Sequence, residues 1–274
     1  MHISYAFAND IKRTSFTFNS QLMFEVLILS IIQGVTEFIP VSSSSHLILI
    51  SEYLNFEVQS LSIDVSLHIG SFIAILTYFH KEIYNFLENK LLFFKIFISS
   101  IPVMVMGYIL VKYNIIDELR NIKIIAFTTL IFGVLLYISD KYKLYNDIEN
   151  NFTLKSAIII GVFQILSLIP GVSRSGITIT AARLLNFNRL DSAKISFLLS
   201  IPTLGAVSVF GIKEIINSPN LDFSILNFIA IFFSFLISLI TIKFFLKFVK
   251  NFDLKYFVAY RILLGLILVF FAYL

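Results

Sequence analysis

QGVTEFIPVSSSSHLIL, residues 33–49, places a carboxylate, a proline, four consecutive serines and a histidine inside a long apolar stretch. Hydrocarbon offers no hydrogen-bond partner, so backbone that leaves the helix at membrane depth persists only within protein or against a water-filled cavity. Pro40 removes an amide donor and clashes with the preceding turn, which predicts that a helix from about Met23 stops near Phe38–Ile39. Ser42 to Ser45 then give a turn from which a second half-helix starts with serine as its N-cap. The uncapped amides and positive end of such a half-helix make a natural anion site.

The surrounding composition fixes the class. Of 274 residues, 58% are hydrophobic and 14% charged, with a mean hydropathy of +0.89. Soluble domains carry about 25% charged residues. Residues 223–242 and 195–212 contain no charge at all, runs of 20 and 18 residues, where a spanning helix needs roughly 20. The chain reads as an all-α polytopic membrane protein. Its net charge of +4 comes from lysines in stretches such as 243–255 and 140–151, read as loops at membrane faces and not as a nucleic-acid surface. Cysteine is absent, which excludes disulfides and thiolate chemistry.

Apolar segments fall at about 23–50, 62–80, 91–112, 123–139, 153–185, 195–216, 223–243 and 256–274. Residues 1–22 read as a polar extension, and 23–274 as a single integral membrane domain. Two segments, 23–50 and 153–185, are long and broken by Pro, Gly and Ser. They also match each other. At an offset of 131, Gln33 meets Gln164, Val41 meets Val172, Ser42 meets Ser173 and Ser44 meets Ser175, while Pro40 and Pro170 miss by one position. Paired interrupted segments point to a repeated membrane fold with its site at the repeat interface.

In the second broken segment, LIPGVSRSGITITAARLL (168–185), Pro170-Gly171 breaks the helix and Ser173-Arg174-Ser175-Gly176 forms a turn, with Thr178 and Thr180 opening the next helix. A guanidinium flanked by hydroxyls and a glycine is a phosphate site in chemical type. Gln33 and Glu37, four apart, share a helix face. Glu37 and Arg174 each cost roughly 2.5–3.5 kcal/mol at membrane depth, so pairing, a metal ion or a wet cavity must compensate. Elsewhere Asp64 reads as an early-turn residue, His68 as packing, Asp191 as an N-cap, and Pro102 and Pro202 as kinks. Arg183 reads as snorkelling, and Tyr260-Arg261 as an interfacial anchor.

QGVTEFIPVSSSSHL and IPGVSRSG resemble the two signature motifs of the undecaprenyl-diphosphate phosphatase family of the bacitracin-resistance type, with further likeness in SFLLSIP (196–202) and YRILLG (260–265). The resemblance implies six spanning helices plus two re-entrant helical hairpins in inverted-topology repeat, in a multi-pass protein of the bacterial cytoplasmic membrane. It implies a hydrolase that takes a C55 polyprenyl diphosphate to the monophosphate, with the lipid and the bilayer as partners and a homodimer left open. It implies a divalent cation, Mg²⁺ or Ca²⁺, which Glu37 would hold.

By matched position, the resemblance carries catalytic roles onto Glu37, Ser43, His46 and Arg174, and substrate contacts onto Gln33, Ser42, Ser44, Ser173, Ser175, Gly176 and Thr178. Ser43 is expected as nucleophile with His46 as its base; a rival route has His46 activate water or attack directly. Family members usually have glycine where this chain has Ser45, which would strain a position needing positive φ. A polyprenyl-phosphate transporter built on the same repeat is the alternative function.

Overall fold

The computed structural model describes residues 20–58, 60–88, 90–113, 115–142, 145–217 and 224–273. The expected extension 1–22 lies outside the described residues up to position 19; positions 20–22 already belong to the first helix. The elements run α1 Ser20–Thr36, α2 Ser43–Leu54, α3 Leu61–Tyr78, α4 His80–Glu88, α5 Lys90–Lys112, α6 Ile115–Leu119, α7 Ile122–Asp140, α8 Ile148–Asn151, α9 Leu154–Ile165, α10 Arg174–Leu184, α11 Arg189–Asn217, α12 Ile225–Asn251 and α13 Lys255–Tyr273.

Six helices among the described residues, α3, α5, α7, α11, α12 and α13, are long and apolar enough to cross a membrane. The two broken segments become helix–turn–helix pairs, α1/α2 and α9/α10, with a 3₁₀ turn at Leu166–Leu168 ending the first arm of the second pair. Their arms have 17, 12, 12 and 11 residues. At 1.5 Å per residue even the longest reaches only about 26 Å, short of the roughly 30 Å hydrocarbon layer.

The offset of 131 extends beyond the motifs. It carries α3 into α11, α5 onto α12 and α7 onto α13. It also carries Ser42 (φ 77°) to Ser173 (φ 71°) and Asn55 (φ 51°) to Asn186 (φ 66°). These are the four non-glycine residues with positive φ among the described residues. The same left-handed exceptions therefore bracket the inner arm of each pair.

Packing sorts the helix ends into two faces. On one, a cavity of about 280 Å³ joins Ile48, Glu52, Ser60, Leu61, Asp64 and Arg120, and the Val58 amide donates to Glu25. On the other, Asp140 accepts from Arg189 and from the Leu254 amide, and Lys95 donates to the Phe152 carbonyl. Both outer ends of α1/α2 therefore lie on the first face and both outer ends of α9/α10 on the second. Helices approach closely through small residues: where the short arm α9 meets α5, a Cβ on Gly161 would overlap the Ser99 carbonyl, and Ser99 Oγ donates to the Ala157 carbonyl at 2.6 Å. At the centre, Phe38 packs edge-on against Phe197 (5.3 Å), which also meets Phe79 and Phe245.

Several residues take other roles than the sequence suggests. The lysine-bearing stretch 243–251 is not loop but the last turns of α12, which continues past its apolar run. Asp191 sits in the first turn of α11, where its amide donates to Asn188 Oδ1 and its carboxylate accepts from Asn188 Nδ2, so Asn188 caps and Asp191 answers it. Arg183 does not snorkel. It is fully buried and donates to the carbonyls of Phe187, Asp140 and Tyr142, tying the end of α10 to the end of α7. Asp64 does lie in the first turn of α3, and Pro102 and Pro202 lie inside α5 and α11.

Candidate active site

The turns of the two broken pairs meet. α1 ends at Thr36, so Glu37 is the first residue beyond it, with its amide still bonded to the Gln33 carbonyl at 3.0 Å. α10 opens at Arg174 itself, earlier than Thr178 and Thr180 suggested, with Ser173 Oγ accepting from the Gly176 amide. Arg174 Nη2 then reaches Glu37 Oε1 at 2.6 Å. Both side chains are nearly buried, 13% and 7% exposed, so each supplies the counter-charge that the other's burial demands.

Glu37 gathers two further donors. Ser43 Oγ donates to its Oε2 at 2.7 Å, and Gln33 Nε2 donates to the same oxygen at 3.1 Å. The amide orientation this fixes leaves Gln33 Oε1 buried without a protein partner. Gln33, Glu37, Ser43 and Arg174 thus form one hydrogen-bonded chain. The family likeness implies His46 as the partner of Ser43; the serine hydroxyl instead donates its hydrogen bond to the Glu37 carboxylate. His46 faces elsewhere: Nδ1 lies 2.6 Å from the Ser42 carbonyl and Nε2 lies 2.6 Å from Tyr260 Oη. A carbonyl only accepts, so the proton sits on Nδ1, and in the neutral ring Nε2 accepts from Tyr260.

The other candidates serve the turns. Ser42 Oγ bonds Ser45 Oγ (3.0 Å) and approaches Ser44 Oγ (3.4 Å), and Ser44 is exposed. Ser175 Oγ donates to the Ile39 carbonyl at 2.8 Å, linking the two turns, and lies 3.2 Å from Ser173 Oγ. Thr178 Oγ1 donates to Ser196 Oγ at 2.7 Å, and the Ser196 carbonyl accepts from Arg174 Nη1. The α2 N-cap, Ser42, makes no side-chain cap bond, so nothing from it covers the first-turn amides. Positive φ falls on Ser42 and Ser173, at a cost of about 1–3 kcal/mol each. Ser45, by contrast, lies within α2 with no positive φ, so the serine there carries no such strain.

A family model described as "Bacitracin resistance protein BacA" matches residues 26–267. The chain belongs to the BacA family. An undecaprenyl-diphosphatase of Pelagibacter ubique (strain HTCC1062) is 49% identical over 245 residues, covering 89% of this chain and 95% of that protein. Undecaprenyl-diphosphatases of Hahella chejuensis (strain KCTC 2396) and Jannaschia sp. (strain CCS1) are 40% and 37% identical, covering 88% and 92% of this chain and 95% and 99% of theirs.

In this BacA-family chain three site residues escaped the motif reading. Tyr260 orients His46, and Ser196 braces Arg174. Arg261 is no interfacial anchor: it is fully buried beneath both turns. His68, read as packing, lies within electrostatic range of Glu37, with Nδ1 donating to the Asp64 carbonyl. SFLLSIP and YRILLG did contain Ser196, Tyr260 and Arg261, so the signal was present as motif likeness without an assigned role.

Proposed function

We infer that the chain is a membrane undecaprenyl-diphosphatase, releasing inorganic phosphate from undecaprenyl diphosphate and leaving the monophosphate. One observation supports this above the others: a serine hydroxyl aimed at a carboxylate, beside a buried arginine, where the turns of two repeats touch. Arg174 and the first-turn amides of α2 hold the terminal phosphoryl group and counter the charge that develops on its oxygens. Ser43 Oγ attacks phosphorus while its proton passes to Glu37 Oε2. The bond to the bridging oxygen breaks, and the polyprenyl phosphate leaves with that oxygen. Water then attacks the phosphoserine and its protons leave with the inorganic phosphate, while Glu37 returns its proton to Ser43 Oγ.

A divalent cation suits the donors. Glu37 and the unpartnered Gln33 Oε1 are hard oxygen ligands of the kind Mg²⁺ and Ca²⁺ take. The described residues contain no cluster of three His, Cys, Asp or Glu; Glu37 and Gln33 are the residues that would hold the cation. When bound, the cation neutralises phosphate charge.

Each pair is re-entrant in this reading, and the halves are inverted. Supporting this, three spans separate the pairs, and their outer ends lie on opposite faces. The face bearing Lys141, Lys155, Lys250 and Lys255 is the cytoplasmic one. Headgroups reach the site from the opposite face, where Ser44, Ile48 and Glu52 line one side of α2. The transporter alternative has no support: the matched relatives carry hydrolase names, and carriage of an anion needs no serine–carboxylate pair.

Purified chain with undecaprenyl diphosphate tests this. Inorganic phosphate and undecaprenyl phosphate should appear in equal amounts, and an inert, folded protein would refute the reading.

A further inference from the structure

Arg261 lies in α13, fully buried, and among the described residues no carboxylate pairs with it. A buried cation without a counter-ion costs several kcal/mol unless its protons find acceptors. They find four carbonyls. Nη1 donates to Pro40 (3.2 Å) and Val172 (3.0 Å), Nη2 to Gly171 (2.8 Å) and Nε to Thr129 (3.4 Å). Pro40, Gly171 and Val172 are turn residues, so their carbonyls have left the helical ladder and need partners in a dry interior. A planar fork with five donors suits this task; an ammonium does not.

Placement gives the clamp its consequence. Pro40 lies midway between Glu37 and Ser43, and Val172 lies two residues before Arg174. One Nη1 thus bonds the turn that carries the carboxylate and serine and also the turn that carries the catalytic arginine. Gly176 is fitted to the same group: a Cβ there would stand 2.9 Å from Nη1. The preceding residue, Tyr260, holds His46.

We propose that Arg261 is a positioning residue that sets the register between the two halves of the active site, acting through backbone carbonyls and touching no substrate. This rests on the phosphatase reading above. Arg183 is the natural control, because it is equally buried and also donates to several carbonyls, yet ties only helix ends away from the site.

The experiment compares Arg261→Lys, Arg261→Gln and Arg183→Gln in the purified full chain, reading kcat and KM for undecaprenyl diphosphate, thermal midpoint and amide hydrogen exchange. Misplacement of about 1 Å costs about 10²-fold in rate. The Arg261 variants should therefore lose about that factor in kcat with KM little changed, while Arg183→Gln at a similar loss of midpoint keeps its kcat. Exchange should quicken at both turns, 37–45 and 170–176, in the Arg261 variants and at neither in Arg183→Gln. Should Arg261→Gln fail to fold, Gly176→Ala, which presses on Nη1, is expected to lower kcat in the same way. Wild-type kcat in folded Arg261 variants, or a kcat loss matched by Arg183→Gln, overturns the proposal. An inactive wild-type chain would refute the phosphatase reading instead, and the exchange pattern would still decide whether Arg261 joins the turns.

Discussion

Glu37 Oε1 and Arg174 Nη2 stand 2.6 Å apart although 137 residues separate them in the chain. Each belongs to a different broken helix pair, so neither half of the molecule contains a neutral site alone. Removing one partner leaves a buried, uncompensated charge, which costs about 3–5 kcal/mol. Glu37→Gln should lower the thermal midpoint clearly. The double variant Glu37→Gln with Arg174→Met should recover much of it while staying inactive. A cycle showing additive losses would mean that the pair is not coupled.

Ser43→Ala removes the attacking oxygen and should lower kcat by about 10⁶-fold, the order lost with the nucleophile of a serine hydrolase. His46→Ala should cost less, because the Ser43 proton already has an acceptor in Glu37. Rapid quenching in denaturant at mildly alkaline pH, where phosphoserine and phosphohistidine both survive, followed by mass spectrometry should find phosphate on Ser43. Phosphate on His46 would reverse the assignment.

Chelation of divalent metal should stop phosphate release, and Mg²⁺ should restore it. Gln33→Leu removes the unpartnered amide oxygen and should raise the Mg²⁺ needed for half-maximal rate by about tenfold. Full activity under chelation would remove the metal role given to Glu37 and Gln33.

The lysine-rich face should be cytoplasmic. The chain has no cysteine, so single cysteines at Lys250 and Glu52 report sidedness directly. An impermeant maleimide applied to intact cells should label the variant at 52 and spare the variant at 250. The reverse pattern would invert the orientation.

The spans were legible because charge-free runs of membrane length leave little choice of structure, and Pro40 and Pro170 announced both breaks. The cost of Glu37 and Arg174 at depth demanded compensation, for which pairing was one of three routes, and pairing is the one the structure takes. What stayed hidden were the arginines. Arg183 and Arg261 sit near the ends of apolar runs, where a sequence pattern suggests snorkelling. Arg261 finds carbonyls of distant turns, which leave no trace in residue identity, and Arg183 meets the carboxylate and carbonyl of Asp140, 43 positions away, which no spacing links. Likewise α12 outlasts its apolar run to Asn251, because helical hydrogen bonding does not stop where hydropathy does. The direction of the Ser43 hydroxyl depended on where Glu37 would lie after the helix ended, which spacing along the chain does not specify.

The most direct measurement is phosphate release from undecaprenyl diphosphate by the wild-type chain and by Arg174→Lys, both purified and confirmed folded. Lysine keeps the charge but loses the planar fork, and removal of one stabilising donor typically costs about 10²–10³-fold in kcat. The account predicts turnover by the wild type and a loss of that order in the variant. Equal turnover by the two would show that the junction of the two turns is not where the diphosphate is cleaved.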